Sequence, residues 1–558
     1  AAPLACRRCL HLGVRAFALQ SAVELPPGSG SSGSDIGSGS LLQRTEEQRT
    51  ELECGGDKAA SRLLPRPGPG GFARGSFIRS LKAPSQESAY EVIKKLGVGA
   101  YGEVHSARHR ATGEVVAVKS ILKSSVTIEQ TIRLETEFLK AADHPNIVRY
   151  YETFEDDTHL HLVMEVCSGG TLSQHVLAAL EVNGCVTERD LARVMFQMLR
   201  SVAYCHSHGI VHRDLKPQNF LFSCGTPRTS GSIIPKACSH DNDAPLKLVD
   251  FGISGVVPRD HPEKRLLTKR AGTNGYMAPE VLMSRPYGPP ADVFSLGAVM
   301  QWCWSGSLLH WTGETRSYKI AKACWAFLSP EGRDLLSRLL HAEPESRPTA
   351  VQACQDPWFR HMGVAAPENV EELKCECIAN IRRFCRHTLL ERAAMYCMVA
   401  FAPLHSDCME THRLAFDAVN VGATGDITLE EFLNTVAITK CAPCDLNLPA
   451  SEEDEVPPEE LFRMVNSSRT GRISYSEWLA ATAPLEWYDR REFVHRAFRT
   501  LDTSGRGSIG AKDLCGMLPG VFMEDEIDAE IHRSNASGSG QLEFEDFCAL
   551  AHRTPTCG

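Results

Sequence analysis

Between Asn420 and Asp546 one twelve-residue frame occurs four times. Each copy has Gly at its sixth position: Gly425, Gly471, Gly507 and Gly540. Each has Ile or Leu at its eighth: Ile427, Ile473, Ile509 and Leu542. Each ends on a carboxylate at its twelfth: Glu431, Glu477, Asp513 and Asp546. Apolar helical flanks, such as Leu414–Phe416 and Glu431–Phe432, border the frames. This is the pattern of a helix–loop–helix unit whose loop wraps a hard cation with oxygen donors at positions one, three, five and twelve. Four matched frames commit the C-terminal region to an all-α fold of two such pairs, at 410–482 and 488–553.

The donors themselves are thin. The first loop has Asn420, Gly422, Thr424 and Glu431, and Gly422 brings no side-chain oxygen. The second has Asn466, Ser468, Thr470 and Glu477. The third has Asp502, Ser504 and Asp513, but Arg506 puts a cation at the fifth position. The fourth has Asn535, Ser537, Ser539 and Asp546, with Glu543 at the ninth. Loss of charged ligands weakens such sites by orders of magnitude. The calcium candidates are therefore the fourth loop's five residues and, behind them, Asp502, Ser504 and Asp513.

A second series of motifs lies upstream. Leu96-Gly97-Val98-Gly99-Ala100-Tyr101-Gly102-Glu103-Val104 fits G-x-G-x-x-G-x-V. A dinucleotide-binding turn shares these glycines but opens into a helix. Here the β-branched run Glu114–Lys119 follows and reads as a strand. Lys119 ends Val116-Ala117-Val118-Lys119. Glu135 lies on the helical pattern Ile132, Glu135, Leu139; Glu137 is the alternative partner for Lys119. Leu160–Val166 reads as a strand, and Leu191–His206 as a helix that leads into Val211-His212-Arg213-Asp214-Leu215-Lys216-Pro217-Gln218-Asn219. Asp250-Phe251-Gly252 and Ala278-Pro279-Glu280 follow, with a Ser-, Pro- and Cys-rich insertion before Asp250 that reads as a surface loop.

In this order and spacing, residues 90–359 resemble a eukaryotic serine/threonine protein kinase domain. The resemblance implies roles. Asp214 accepts the proton of the substrate hydroxyl, Lys216 neutralises the transferring phosphate, and Thr273 touches Asp214. Lys119, paired with Glu135, fixes the phosphates of ATP, and Asn219 and Asp250 hold magnesium. Leu96, Gly97, Gly99, Gly102, Val104, Ala117 and Leu221 enclose the nucleotide. Met164 borders the adenine, and Glu165 and Cys167 offer it backbone groups. Asp292 and Arg347 fit the buried Asp and the Arg that pairs with Glu280. Arg213 before the catalytic Asp makes phosphorylation of the activation segment an expectation, with Thr268 as its candidate.

From Glu368 to Phe401 there is neither Pro nor Gly, and Ile378, Ile381, Phe384, Cys385 and Leu389 recur at helical spacing among Arg382, Arg383, Arg386 and Arg392. A basic amphipathic helix suits a calmodulin-like lobe, or equally the closing of the kinase lobe. With this helix at 366–405 and the four EF-hand frames behind it, residues 90–553 resemble the calcium-dependent protein kinases of plants and protists. Tyr475-Ser476-Glu477-Trp478-Leu479-Ala480-Ala481-Thr482 is close to that family's wording. The resemblance implies an α+β, bilobal kinase fold followed by an all-α EF-hand domain. It implies protein substrates with Ser or Thr, ATP and Mg2+, and an EF-hand lobe that grips its own junction helix. The alternative is a silent scaffold with a constitutive docking module. Two positions depart from kinases that select basic residues: Thr171 and Gln218 stand where those kinases carry Glu. The segment from Gln301 to Ser329 is shorter than is usual.

Composition bounds the rest. A chain of 558 residues needs several cores. Its formal charge of −10 argues against nucleic-acid binding. Twenty-one Cys in no regular framework read as free thiols of a reducing, cytoplasmic compartment. Cys6–Cys9 and Cys441–Cys444 are lone CxxC pairs, which read as incidental. The apolar run Ala393–Leu404 is too short to cross a membrane. The chain opens on Ala1 rather than Met, so its first residue says nothing of a signal peptide or lipidation, and peripheral membrane attachment stays open. Residues 1–88, with the Gly/Ser run 29–40 and the Pro/Gly run 64–71, are expected to be disordered.

Overall fold

The β-branched run that ends at Lys119 forms the middle of a six-stranded sheet. Its strands are β1 (Ser80–Lys82), β2 (Tyr90–Gly99), β3 (Gly102–His109), β4 (Val115–Leu122), β5 (Tyr150–Glu155) and β6 (His159–Met164), in the order β1-β5-β6-β4-β3-β2. All pairs are antiparallel except β1 with β5. This computed structural model describes residues 67–82, 89–99, 102–110, 112–123, 135–225, 232–237, 243–257, 267–312, 317–319, 322–364, 370–401, 407–439, 456–488, 491–535, 538–550 and 552. The two CxxC pairs, the run 29–40, Ala100, Tyr101, Ile132 and Ser537 lie outside them.

Strand alternation assigns the sheet's two faces to two cores. Ile121, Leu162 and Tyr150 join a core built on α1 (Leu172–Asn183), α2 (Glu188–Ser207) and α3 (Pro289–Ser305). Val116, Val118, Val163, Tyr151 and Phe154 join a second core on the other face. That core is completed by α4 (Val370–Phe384), α5 (Leu389–Phe401) and the helices of the four loop units. These are α6 (Asp407–Val419), α7 (Leu429–Thr439), α8 (Pro458–Val465), α9 (Tyr475–Thr482), α10 (Arg491–Leu501), α11 (Ala511–Met517), α12 (Glu524–Ser534) and α13 (Phe544–Leu550). The helical tail and the small lobe's outer face therefore share one apolar interior.

Three sequence expectations change. The leader was expected to be disordered to residue 88, but residues 67–82 are ordered. Phe72 and Phe77 are buried and pack edge-on or tilted against Tyr396 of α5. Arg74 is buried too and donates to the carbonyls of Ala142, Tyr150 and Ala400. Gly68 and Phe72 donate backbone N–H groups to Ser468 and Ser467 of the second loop, at 2.7 and 2.9 Å. The Pro/Gly run bends this strap without abolishing it, because two rings and a guanidinium find partners.

The expected single junction helix is two, broken at residues 385–388. Thr388 and Glu391 form a reciprocal capping pair (Thr388 N to Glu391 Oε2 3.0 Å, Glu391 N to Thr388 Oγ1 3.3 Å), and this starts a new helix. The insertion before Asp250 is not wholly surface, since Ile233 and Ile234 are fully buried. The short 301–329 segment holds a hairpin, His310–Thr312 with Ser317–Lys319, followed by a 3-10 turn at Lys322–Phe327.

Candidate active site

The hairpin of β2 and β3 lies over β4. A Cβ at Gly102 would sit 1.9 Å from the Ser120 carbonyl oxygen, so only Gly lets β3 approach this closely. Leu96 and Val98 are exposed beneath this roof, and Val104 is half-buried. Ala117 is buried and pairs with Met164. On the floor, Leu221 lies in β7 (Phe220–Phe222) opposite Lys247 of β8 (Leu246–Leu248).

Lys119 is the first junction of charge. Its Nζ lies 2.8 Å from Glu135 Oε1 and 2.9 Å from Asp250 Oδ1. Burial alone would push the ammonium down, but the two carboxylates outweigh it and hold it well above the usual lysine value. Burial likewise opposes charge on Asp250, and Lys119 overcomes it and lowers that carboxyl. Glu137, the alternative partner, instead meets Lys140 at 3.3 Å on the surface. Asp250 holds a left-handed backbone, φ 63°, a strained conformation that aims its carboxylate at Lys119. The next ring, Phe251, packs 4.8 Å from Phe138 and 4.9 Å from His212.

The loop carrying Asp214 hangs from Asp292 at the start of α3. Asp292 is fully buried and accepts the backbone N–H groups of His212 and Arg213 at 2.7 and 2.9 Å. Burial would raise its pKa, but His206 at 3.0 Å and these amides pull it below the usual range. Asp214 Oδ1 accepts from the Thr273 hydroxyl at 2.6 Å, and Oδ2 from Lys216 Nζ at 2.7 Å. Lys216 also reaches Thr273 Oγ1 at 3.1 Å. Asn219 donates its amide to the Asp214 carbonyl at 2.9 Å, which leaves the side-chain oxygen for a cation. Arg347 grips Glu280 with two bonds, at 2.7 and 2.9 Å.

At the hinge, the Glu165 carboxylate is buried against Lys247 (2.9 Å) and the Arg149 amide (2.7 Å). Its own N–H goes to the Arg149 carbonyl, so its carbonyl is what it has to offer. Burial pushes the Cys167 thiol far up, which leaves the backbone as that residue's contribution. Arg213 donates to the carbonyls of Ile253 and Ser254, and Thr268 is exposed.

The four loops spend their carboxylates inwardly. Glu431 accepts N–H groups from Gly422 (2.7 Å) and Thr428 (2.8 Å). Glu477 accepts from Ser468 (2.6 Å) and Ser474 (2.7 Å), and its burial raises it to about 7. Asp502 accepts from Ser504, Arg506 N and Gly507 N, at 3.2, 3.1 and 2.8 Å. Asp513 accepts from Ser504 N at 3.1 Å and meets Arg506 Nη2 at 3.3 Å. In the fourth loop Asn535 donates to Ser539 Oγ and the Gln541 carbonyl, and Asp546 accepts from Glu543 N at 3.1 Å.

The loop units also face the kinase lobe. Gly425, φ 84°, lies so close to the Tyr204 ring that a Cβ would meet it at 2.2 Å. Ser476 donates to both oxygens of Asp143, at 2.9 and 2.7 Å. Arg200 pairs with Asp417 at 2.8 Å and Arg496 with Glu114 at 2.6 Å. Arg74 and Tyr204 had no motif around them and were missed from the sequence.

The fold and this cleft define a protein kinase, and the protein kinase domain family matches residues 90–359. Calcium-dependent protein kinase 34 of Arabidopsis thaliana is 28% identical over 91% of this chain and 94% of its own length. Calcium-dependent protein kinase 17 of that plant is 27% identical over 88% and 87%. Its CDPK-related kinase 5 is 30% identical over 83% of this chain and 74% of the relative. The chain belongs to the calcium-dependent protein kinase family. It is a serine/threonine protein kinase regulated through a C-terminal EF-hand domain. No helix among the described residues is long and apolar enough to cross a membrane.

Proposed function

We propose that the cleft transfers the γ-phosphate of ATP to Ser or Thr hydroxyls of proteins, and that it does so without calcium. The carrying observation is the convergence of Lys119, Glu135, Asp250 and the Asp214–Lys216–Thr273 cluster on one cleft. Leu96, Gly97, Gly99, Gly102, Val104, Ala117 and Leu221 enclose the nucleotide. The Glu165 carbonyl and the Cys167 N–H meet its base. Lys119 orients the phosphates. The donor set of Asn219 and Asp250 fits magnesium, a hard cation that takes few protein oxygens and keeps the rest for phosphate. Bound there, the ion neutralises charge that develops on the phosphates. Asp214 orients the acceptor hydroxyl and takes its proton; Lys216 offsets the phosphate's charge.

Calcium fits poorly. At positions one, three, five and twelve the first and second loops hold one carboxylate each, Arg506 lies in the third, and in the fourth Asn535 turns its amide nitrogen to its neighbours. Among the candidates, Asn535, Ser539, Glu543, Asp546, Asp502, Ser504 and Asp513 serve the loops' own closure. The EF-hand units then regulate the cleft as a brace that calcium does not switch, held on the junction helices 370–401 and against the back of the kinase lobe.

A peptide-phosphorylation assay of the full chain across a calcium series tests this. Turnover should vary by less than about twofold between chelator and millimolar calcium, far outside the sensor range. A strong rise at micromolar calcium would overturn the brace, and absence of turnover throughout would favour the scaffold.

A further inference from the structure

Thr273 donates to the Asp214 carboxylate, so an acceptor hydroxyl brought to Asp214 carries its neighbouring residues along the segment around Thr273, and the charge of that segment acts on them. Among the described residues three exposed cations border it. Lys269 and Arg270 lie four and three residues ahead of Thr273, whose hydroxyl bonds Asp214. Arg285 follows Glu280 and donates its backbone N–H to the Glu280 carbonyl at 2.8 Å. All three are exposed, and none has an ion-pair partner among the described residues.

Other contacts hold these residues in place. The Tyr287 hydroxyl donates to the Lys269 carbonyl at 2.7 Å, and Leu267 and Tyr287 exchange backbone bonds at 3.3 and 2.9 Å. These tie the segment bearing Lys269 to the turn bearing Arg285. Tyr318, on the hairpin that fills the short 301–329 segment, donates to the Met277 carbonyl at 2.6 Å. Burial pushes the Tyr318 hydroxyl up, and the positive charge of Arg270 opposes that rise.

Extended chain covers at most about 3.6 Å per residue, so both Lys269 and Arg270 lie within about 15 Å of Thr273. A substrate residue three or four positions from its acceptor has the same reach. The countercharge is missing on the cleft's other side. Thr171 spends its hydroxyl capping α1, through Gln174 N at 3.2 Å, and Gln218 is exposed and neutral.

We propose that this kinase selects acceptors flanked, within about four residues, by anionic side chains, which Lys269, Arg270 and Arg285 recognise. The chemistry shared is negative charge, from Asp and Glu or from a neighbouring phosphorylated residue. The proposal rests on the kinase reading for its acceptor, but not for its charge preference. Exposed cations screened by water give each contact a modest effect, so the preference builds from several and weakens with salt.

Two measurements on the full chain test it. The first is phosphorylation of a positional peptide library around a fixed Ser or Thr, with Asp, Glu, phosphoserine, Lys and Arg at each flanking place. Acidic or phosphorylated places should be favoured, the two arms separating the sources. In K269E/R270E/R285E the KM for an acidic peptide should rise about tenfold relative to that for a neutral one. The second is fluorescence anisotropy of labelled acidic and basic peptides on D214N, which reads binding without turnover. If no peptide is turned over and the acidic one still binds more tightly, the kinase reading fails and this one stands. A preference for Lys or Arg, or a charge reversal that lowers kcat equally for every peptide, would overturn the proposal.

Discussion

The kinase cleft and the EF-hand loops both carry oxygens of the kind that suits a hard cation, and they differ in where those oxygens point. In the cleft, Asp250 and Asp214 are satisfied by lysines that a nucleotide's phosphates would share, and the Asn219 side chain donates its amide nitrogen to the Asp214 carbonyl. In the loops, Glu431 and Glu477 are each taken by two backbone N–H groups, and Arg506 meets Asp513. The first arrangement leaves oxygens that a ligand can share. The second turns its carboxylates onto the loops' own backbone. The frame therefore has a folding role of its own, because the turn, the short strand and the terminal carboxylate hold the loop closed.

The sharpest break in that comparison is Asp214→Asn. It should lower kcat by about 10²–10⁴-fold with the KM for ATP nearly unchanged, in steady-state kinetics. An equal loss of nucleotide affinity would move Asp214 out of the proton-accepting role. Next is the joint between the two regions. Phe77→Ala empties a buried site in the core that both share and should cost about 3–5 kcal/mol. The check is thermal unfolding of the full chain with limited proteolysis; an unchanged midpoint would make the strap incidental.

Smallest is the pH response of the second loop. Glu477 ionises at 4.5 when free and at about 7 in the fold. The folded state thus keeps a proton that the unfolded chain gives up. This group's stabilisation is full below pH 4.5 and is lost as pH rises through 7, by about 3 kcal/mol. His412, buried and lowered to about 4, runs the other way, because it costs stability as pH falls. The readout is therefore the difference between the native chain and Glu477→Gln. The native midpoint should fall relative to the variant's from pH 5 to pH 8; parallel curves would mean that Glu477 is ionised in the fold.

The cleft was legible because each of its groups stands in a short motif with fixed spacing, and the ordered series named the lobe before any coordinate. The four frames were legible for the same reason, and the missing donors were visible as residue types. What stayed hidden depends on distant partners. Nothing periodic marks Phe72, Arg74 and Phe77 in a Gly- and Pro-rich stretch, since partners such as Ala142, Tyr396 and Ala400 lie far along the chain, 68 to 326 residues from Arg74 at the two ends. The broken junction helix did carry a local signal. Thr388 and Glu391 have the spacing of a capping pair, and the absence of Pro and Gly drew attention away from it. Ile233 and Ile234 were masked by the polar company they keep.

The strap also sets a schedule. Arg469 and the Pro69 carbonyl that it grips are separated by 400 residues, so the partner leaves the ribosome long after the strap does. At about 5–20 residues per second, that delay is roughly 20–80 s. Throughout it the strap that leads into β1, the sheet's edge strand beside β5, lacks the loop that fixes it, an invitation to stray strands. The second loop, once translated, decides when the strap can come to rest.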